Sequence, residues 1–324
     1  MRDEENRALL PEGLNLLDLP QPMTGFRRFI SSWFFVDPLG RRILVDPGPA
    51  NTIPLLVERL SEITDGVDLV LLTHIHPDHS GGMGQFCQVF PDAKVLVHPR
   101  GRRHLLDPER LWRSALATLG EIAGMYGKPA PLPPASLLDD DGAEGVTVLE
   151  TPGHAPHHLS FIVPFRDERL FFVGEAAGLH LPLESAPNSG PTTHPWLRPT
   201  TPPPFDGTAA RESLRKIRQN LEGNELICYS HYGAARQPLR MIALAEEQLD
   251  SWLSIIEEMR DRSGEEIVGH LLARDPLLSA GPSGAARLPE DLLERERIFI
   301  RNSVKGLSGY LKDAHKERRP ATPD

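Results

Sequence analysis

The alternation of apolar and polar residues divides the chain into short strands and amphipathic helices. Apolar runs over residues 29–36 and 42–45 flank Asp37-Pro38-Leu39-Gly40, the signature of two strands joined by a tight turn. Residues 51–63 carry Ile53, Leu55, Leu56, Leu60 and Ile63 near helical spacing, and a buried strand, 68–72, follows. The pattern then predicts a short helix over 80–89 capped by Ser80, a strand over 94–98 and a helix over 108–125 with proline at its start. Strands are expected at 146–149, 159–165, 170–173 and 225–229, with a helix over 207–221 before the last of them. From residue 238 the character changes. Segments 239–260, 265–273 and 289–316 all read as helices, and no strand pattern follows. The segment 298–311, with Ile298, Phe299, Ile300, Val304, Leu307 and Leu311, is more apolar than a free surface helix requires. The order is thus a hairpin with α/β units, given twice, then a helical end. We divide it into 1–235 and 236–324, the second part packing on or capping the first.

Residues 182–204 interrupt the pattern. Eight prolines in 23 residues exclude regular structure there, and the stretch has the features of a lid or a surface connection. Residues 127–141, rich in proline and aspartate, read as a loop.

Composition narrows the class. A chain of 324 residues, 40% hydrophobic and 25% charged, can bury a large core. The net charge of −10 argues against an extended nucleic-acid surface. Cys87 and Cys228 lie far apart in apolar surroundings and read as reduced core residues. The highly charged segment 1–7 leads into no signal-like core, and no apolar run approaches the ~20 residues of a membrane span. A soluble cytoplasmic protein acting on a small molecule, without nucleic-acid or membrane partners, is the expectation.

The chemistry sits where strands end. Behind strand 68–72 comes Thr73-His74-Ile75-His76-Pro77-Asp78-His79, then Ser80-Gly81-Gly82. His74 and His76, two apart on an extended segment, point to one side. Asp78 and His79 follow a proline that turns the chain, so they can face a second metal beside the first. Imidazoles and a carboxylate suit zinc first, with iron or manganese as alternatives. Three later strand ends repeat the design: Thr151-Pro152-Gly153-His154, Gly174-Glu175 and Ser230-His231-Tyr232-Gly233. Asp46, at the end of strand 42–45, could orient a ligand histidine, and His157 or His158 could contact substrate. His98 and His104 flank a Pro-Arg-Gly turn. Tyr232 could donate its phenol to a developing oxyanion.

These motifs resemble the metallo-β-lactamase superfamily over roughly residues 28–233, and most closely its glyoxalase II-like hydrolase branch. The stretches 151–161 and 294–311 resemble uncharacterised bacterial and archaeal members. The resemblance implies a four-layered αββα sandwich with a C-terminal helical extension. It implies that His74, His76 and His154 hold one divalent metal and that Asp78, His79 and His231 hold a second. Glu175 takes the bridging position, where the family has aspartate, and its exchange for aspartate is expected to keep activity. The implied reaction is hydrolysis of a small ester, thioester or lactone by a metal-activated water, with Asp78 relaying the proton. An iron-binding redox or oxygenase-type protein, a nuclease and a non-catalytic metal-binding protein are the competing readings. The helical end could shape the substrate pocket or form a homodimer interface.

Overall fold

The computed structural model describes residues 9–139, 142–181, 196–274 and 288–318. Two five-stranded sheets face each other. The first runs β1 (Asn15–Asp18), β2 (Ser31–Val36), β3 (Arg42–Val45), β4 (Leu69–Leu71) and β5 (Lys94–Leu96), in that order across the sheet. Pairing is antiparallel from β1 to β3 and parallel from β3 to β5. The second contains β6 (Thr147–Glu150), β7 (Leu159–Phe165), β8 (Glu168–Gly174), β11 (Leu226–Tyr229) and β12 (Ala234–Ala235), ordered β12-β11-β8-β7-β6. Here β8 and β11 are parallel, and the other pairs are antiparallel.

Strand alternation builds the layers. Trp33 and Phe35 of β2 pack between the sheets with Phe161, Phe165 and Phe172, while Phe34 between them faces the helices. On β8, Phe172 points to the other sheet and Phe171 to the outer helical layer. The two apolar faces of each sheet require cover on both sides, which gives the αββα sandwich. The Trp33 indole N–H donates to the Tyr229 carbonyl at 2.9 Å, tying the sheets together close to the site.

Helices α1 (Ile53–Ser61), α2 (Pro77–Ser80) and α3 (Met83–Val89) follow the first strands. The predicted helix from Ser80 is in fact two pieces. Gly82 stands at the start of the second, and the Ser80 hydroxyl donates to the His76 carbonyl instead of capping. The predicted helix 108–125 is likewise broken, into α5 (Glu109–Leu119) and α6 (Glu121–Tyr126), because Gly120 adopts φ +55°. The pattern missed β1 and β12, both too short to show alternation, and α4 (Pro99–Leu106), which runs through the supposed turn between His98 and His104.

The proline-rich stretch is less irregular at its ends than composition indicated. Trp196–Arg198 (β10) pairs antiparallel with Leu179–Leu181 (β9), while residues 182–195 of the candidate lid lie outside the described residues. Helix α7 (Gly207–Gln219) covers the second sheet, followed by α8 (Pro238–Glu258), α9 (Gly264–Arg274) and α10 (Glu290–Arg318). This helical end is hydrogen-bonded to the body. Arg295 Nη1 donates to the Gly25 carbonyl at 2.8 Å, and the Thr201 hydroxyl donates to the Ser303 carbonyl at 3.1 Å. No helix among the described residues is long and apolar enough to cross a membrane.

Candidate metal centre

Five strand ends deliver the site. Asp46 follows β3, the His74–His79 stretch follows β4, His154 follows β6, Glu175 follows β8 and His231 follows β11. Side chains at the carboxyl ends of the strands meet in one crevice, as open α/β sheets favour. Two groups form. His74, His76, His154 and Glu175 make one, and Asp78, His79 and His231 the other, each with its ligand-type atoms within 4.8 Å of one another. All seven residues singled out as candidate ligands therefore come together.

Glu175 joins the groups. Its Oε2 lies 3.2 Å from His74 Nε2, 3.1 Å from His154 Nε2 and 3.3 Å from His79 Nε2, while Oε1 lies 3.4 Å from His231 Nε2. Asp78 Oδ2 stands 3.6 Å from His79 Nε2 and 3.8 Å from His231 Nε2. His76 presents the other ring nitrogen. Its Nδ1 is 3.0 Å from both His74 Nε2 and His154 Nε2.

Hydrogen bonds behind the rings decide which nitrogen is free. His154 Nδ1–H donates to the Thr200 carbonyl at 3.0 Å, and His231 Nδ1–H to the Phe29 carbonyl at 3.2 Å. His79 Nδ1–H donates to Asp46 Oδ2 at 3.2 Å. The Thr73 hydroxyl donates to Asp46 Oδ2 at 2.6 Å, which makes it the acceptor for His74 Nδ1–H at 3.0 Å. Four Nδ1–H groups thus point away from the crevice, and four Nε2 lone pairs point into it. Asp46 is the hub of this support. It also accepts from the Thr73 amide and the Ser230 hydroxyl, and it holds φ +51°, a conformation that aspartate tolerates better than most residues. The orienting role considered for Asp46 matches its place.

Electrostatics favour a cation. Burial disfavours the charged form of His79, but Asp78, Asp46 and Glu175 outweigh it and raise its proton affinity well above the ordinary range. Burial, with His79 next, pushes the His74 pKa well down; burial, with His154 next, does the same for His76. Burial alone would raise the Glu175 pKa, yet His154 and His231 hold the carboxyl well below its usual range, so it stays ionised. His79 Nε2 is buried with no hydrogen-bond partner. An unpaired imidazole nitrogen beside two carboxylates, Glu175 and Asp78, and converging Nε2 atoms is a donor set that fits divalent metal.

His158 supplies a feature that sequence reasoning approached differently. It is fully buried. Its Nδ1–H donates to the Thr151 hydroxyl at 2.9 Å, leaving Nε2 to accept the Glu175 amide at 3.0 Å. It holds the backbone of Glu175. Gly174 makes this possible. At φ +59° it carries no side chain, and a Cβ there would stand 2.3 Å from His158 Nε2. Tyr232 is only 6% exposed beside His231, and its amide donates to the Ser31 hydroxyl at 3.1 Å. It is not among the residues lining the cavity above the site, so the proposed oxyanion contact finds no support in its placement.

That cavity, of about 370 Å³, opens over the two groups. His76, Asp78, His154, Glu175 and His231 form its floor, and Leu111, Ala115 and Leu119 of α5 and Phe299 of α10 form apolar walls. His157 lines it as well, its pKa pushed down to about 4 by burial and by His154, so it is neutral there at pH 7.

The chain belongs to the metallo-beta-lactamase superfamily, whose family profile matches residues 26–231. Among curated relatives, it is 29% identical over 185 residues to a metallo-beta-lactamase fold-containing protein of Sulfurisphaera tokodaii, covering 54% of this chain and 62% of that one. It is 27% identical over 204 residues to the hydroxyacylglutathione hydrolase of Xanthomonas axonopodis pv. citri, covering 61% of this chain and 59% of the relative. The first curated relatives are thus matched over less than two thirds of their own length. The crystal structure of an archaeal superfamily protein from Sulfolobus tokodaii superposes with a TM-score of 0.62 at 22% identity, covering 92% of this chain and 99% of that one. This likeness concerns the fold.

Proposed function

We propose that the protein is a metal-dependent hydrolase with two divalent ions, zinc first among them, acting on a small ester, thioester or lactone. The observation that carries this reading is the Glu175 carboxylate, shared between two ligand groups on the floor of a largely apolar cavity. His74, His76 and His154 would hold one ion, Asp78, His79 and His231 the other, with Glu175 between. Metal bound there supplies Lewis-acid polarisation of a carbonyl and lowers the pKa of a water to about 7. The protein's own groups do the rest. The Nδ1–H hydrogen bonds of His74, His79, His154 and His231 keep the rings fixed, so no reorganisation accompanies reaction. Asp78, partly exposed at the cavity floor, would take and relay a proton. Neutral His157 at the cavity wall can donate a hydrogen bond to a polar leaving group. The apolar walls fit an acyl chain and limit competing water.

The name of the Xanthomonas relative, a hydroxyacylglutathione hydrolase, supports a thioester within this range. The test is metal analysis of the purified protein together with a hydrolysis screen over thioesters, lactones, β-lactams and phosphodiesters. We expect about two equivalents of divalent metal and turnover of carboxylic esters or thioesters that a chelator abolishes and metal restores. His76→Ala should lower bound metal and abolish turnover while the fold persists by circular dichroism. Unchanged metal content in that variant would overturn the ligand assignment. Iron with visible absorption, and no hydrolysis in the screen, would overturn the hydrolase reading in favour of redox chemistry.

A further inference from the structure

Outside the ligand groups, the cavity wall carries one buried guanidinium. Arg198, at the end of β10, is 2% exposed and lines the cavity along with His154, Glu175 and Thr200. Its Nε donates to Glu296, and its Nη1 donates to the Pro199 carbonyl at 3.4 Å. Its Nη2 is shut off from bulk water and meets no acceptor among the described residues. Glu296 is shared with a second arginine. Arg295 donates to Glu296 Oε1 from Nε at 3.1 Å and from Nη2 at 3.0 Å, and its third nitrogen is taken by Gly25. Arg295 and Glu296 are 1% and 0% exposed. Two guanidinium groups and one carboxylate leave this buried triad with a net charge of +1.

Such a surplus is unfavourable in the interior unless something compensates it, and arginine cannot shed its charge to escape. Arg295 has all its nitrogens bonded and stacks on Phe29, with Cζ 4.2 Å from the ring centroid. The unpaired donor is therefore on Arg198, whose side chain lines the cavity; a turn of the guanidinium would present Nη2 to a ligand there. Its Cζ lies 5.7 Å from the ring centroid of Phe299, which lines the cavity too. Asn302, one turn along α10 from Phe299 and so on the same face, adds an amide to this wall.

We propose that Arg198, with the Asn302 amide also lining the cavity, forms an anion subsite for a carboxylate carried by the substrate. This rests on the hydrolase reading above and names its substrate class: an acyl ester or thioester whose acyl chain ends in a carboxylate. One negative charge neutralises the surplus of one, whereas a phosphate monoester, with nearly two, would overshoot it. The carboxylate seats on the guanidinium, the acyl chain lies along the apolar wall and the scissile carbonyl rests over the ligand groups. Hydrolysis adds water across the acyl–oxygen or acyl–sulfur bond, releasing a dicarboxylic acid and an alcohol or thiol.

The test uses metal-loaded full-length protein and paired 4-nitrophenyl esters: butyryl, valeryl and hexanoyl against succinyl, glutaryl and adipoyl. At one chain length, kcat/KM should favour the carboxylate-bearing ester by about tenfold or more, as one charge-assisted hydrogen bond allows. The ratio should fall towards unity in Arg198→Met and recover in part in Arg198→Lys. Arg110→Gln, which alters the exposed arginine at the cavity mouth, should keep it. A ratio near unity in the wild-type protein, or one removed by Arg110→Gln and kept by Arg198→Met, overturns the proposal. A purely structural Arg198 would lower both rates together and leave the ratio intact, which also overturns it. Should Arg198→Met not fold, the wild-type ratio and Arg198→Lys decide. Should no ester be turned over, the hydrolase reading falls and binding decides this one. Calorimetric affinity for glutaramate (the C5 monocarboxylate monoamide) about tenfold above that for valeramide, lost in the Arg198 variants, supports the subsite, and equal affinities sink it.

Discussion

At the scale of single residues, the departure at Glu175 is the informative one. A glutamate where the family has aspartate is one methylene longer, and the sequence alone suggests that the shorter residue would serve as well. The structure argues otherwise. The Glu175 amide is pinned by His158 Nε2, His158 is packed in the interior, and the carboxylate already reaches four imidazoles from that anchored backbone. Advancing the main chain to make up the lost length would break this hydrogen bond. Glu175→Asp should therefore reduce bound metal and activity, read by metal titration. A variant that binds metal as the parent does would show that the backbone moves. The same geometry makes His158 a positioning residue. His158→Ala leaves the buried Glu175 amide without an acceptor, at a cost of about 1–3 kcal/mol. It should weaken metal binding by about 10–100-fold, as loss of a supporting partner does at other metal sites. A variant with lowered stability but parental metal affinity would reduce His158 to a packing role.

Elements position these residues, and the long C-terminal helix α10 is the least obvious contributor. Its apolar face was legible as a packing face. That it also sends a buried carboxylate, Glu296, between Arg198 of the body and Arg295 was not. Removing one partner of a buried charged network leaves the others uncompensated, typically at about 3–5 kcal/mol. Glu296→Gln should thus lower stability by that order in denaturant unfolding. A loss below about 1 kcal/mol would mean that the two guanidinium groups find water or other acceptors. Short elements show a complementary effect. Strands β9 and β10 exist despite the prolines around them because their three-residue pairing needs few donors and Leu179, Leu181 and Leu197 bury their side chains in the core. Local propensity is a weak guide where tertiary burial decides.

For the molecule as a whole, acid should be the weak side. Burial pushes the His180 pKa down from 6.5 to about 4, against a smaller opposing hydrogen bond that the ring donates to the Tyr232 backbone. Between those values the unfolded chain takes up a proton that the folded chain refuses. Stability from this group is therefore full above pH 6.5 and lost as pH falls towards 4. Glu296 adds a second step. Burial would raise its pKa, but Arg198 and Arg295 outweigh it and hold it below 4.5, so its contribution persists above that pH and disappears as pH falls through the lowered value. The thermal midpoint should drop on going from pH 7 to 5, and His180→Asn should flatten the drop. An unchanged slope in that variant would assign the effect to other groups.

Strand-end chemistry and layer order were open to sequence reading because both are local. A histidine cluster after an apolar run marks a ligand-bearing loop, so the strands at 29–36 and 68–72 and the ligand positions His74, His76, Asp78 and His79 could be placed without coordinates. The membership of His154, Glu175 and His231 followed from the repetition of the same motif at later strand ends. Tertiary structure alone decided the rest. It set the breaks at Gly120 and Gly82, which depend on backbone angles. It made Asp46 and His158 supports, since hydrogen bonds between residues as far apart as Asp46 and Ser230 leave no periodic trace. It also brought Arg198, Arg295 and Glu296 into one buried triad, of which Arg198 lines the cavity, because a pairing of charges across about a hundred residues is fixed by packing of the chain and not by its local pattern.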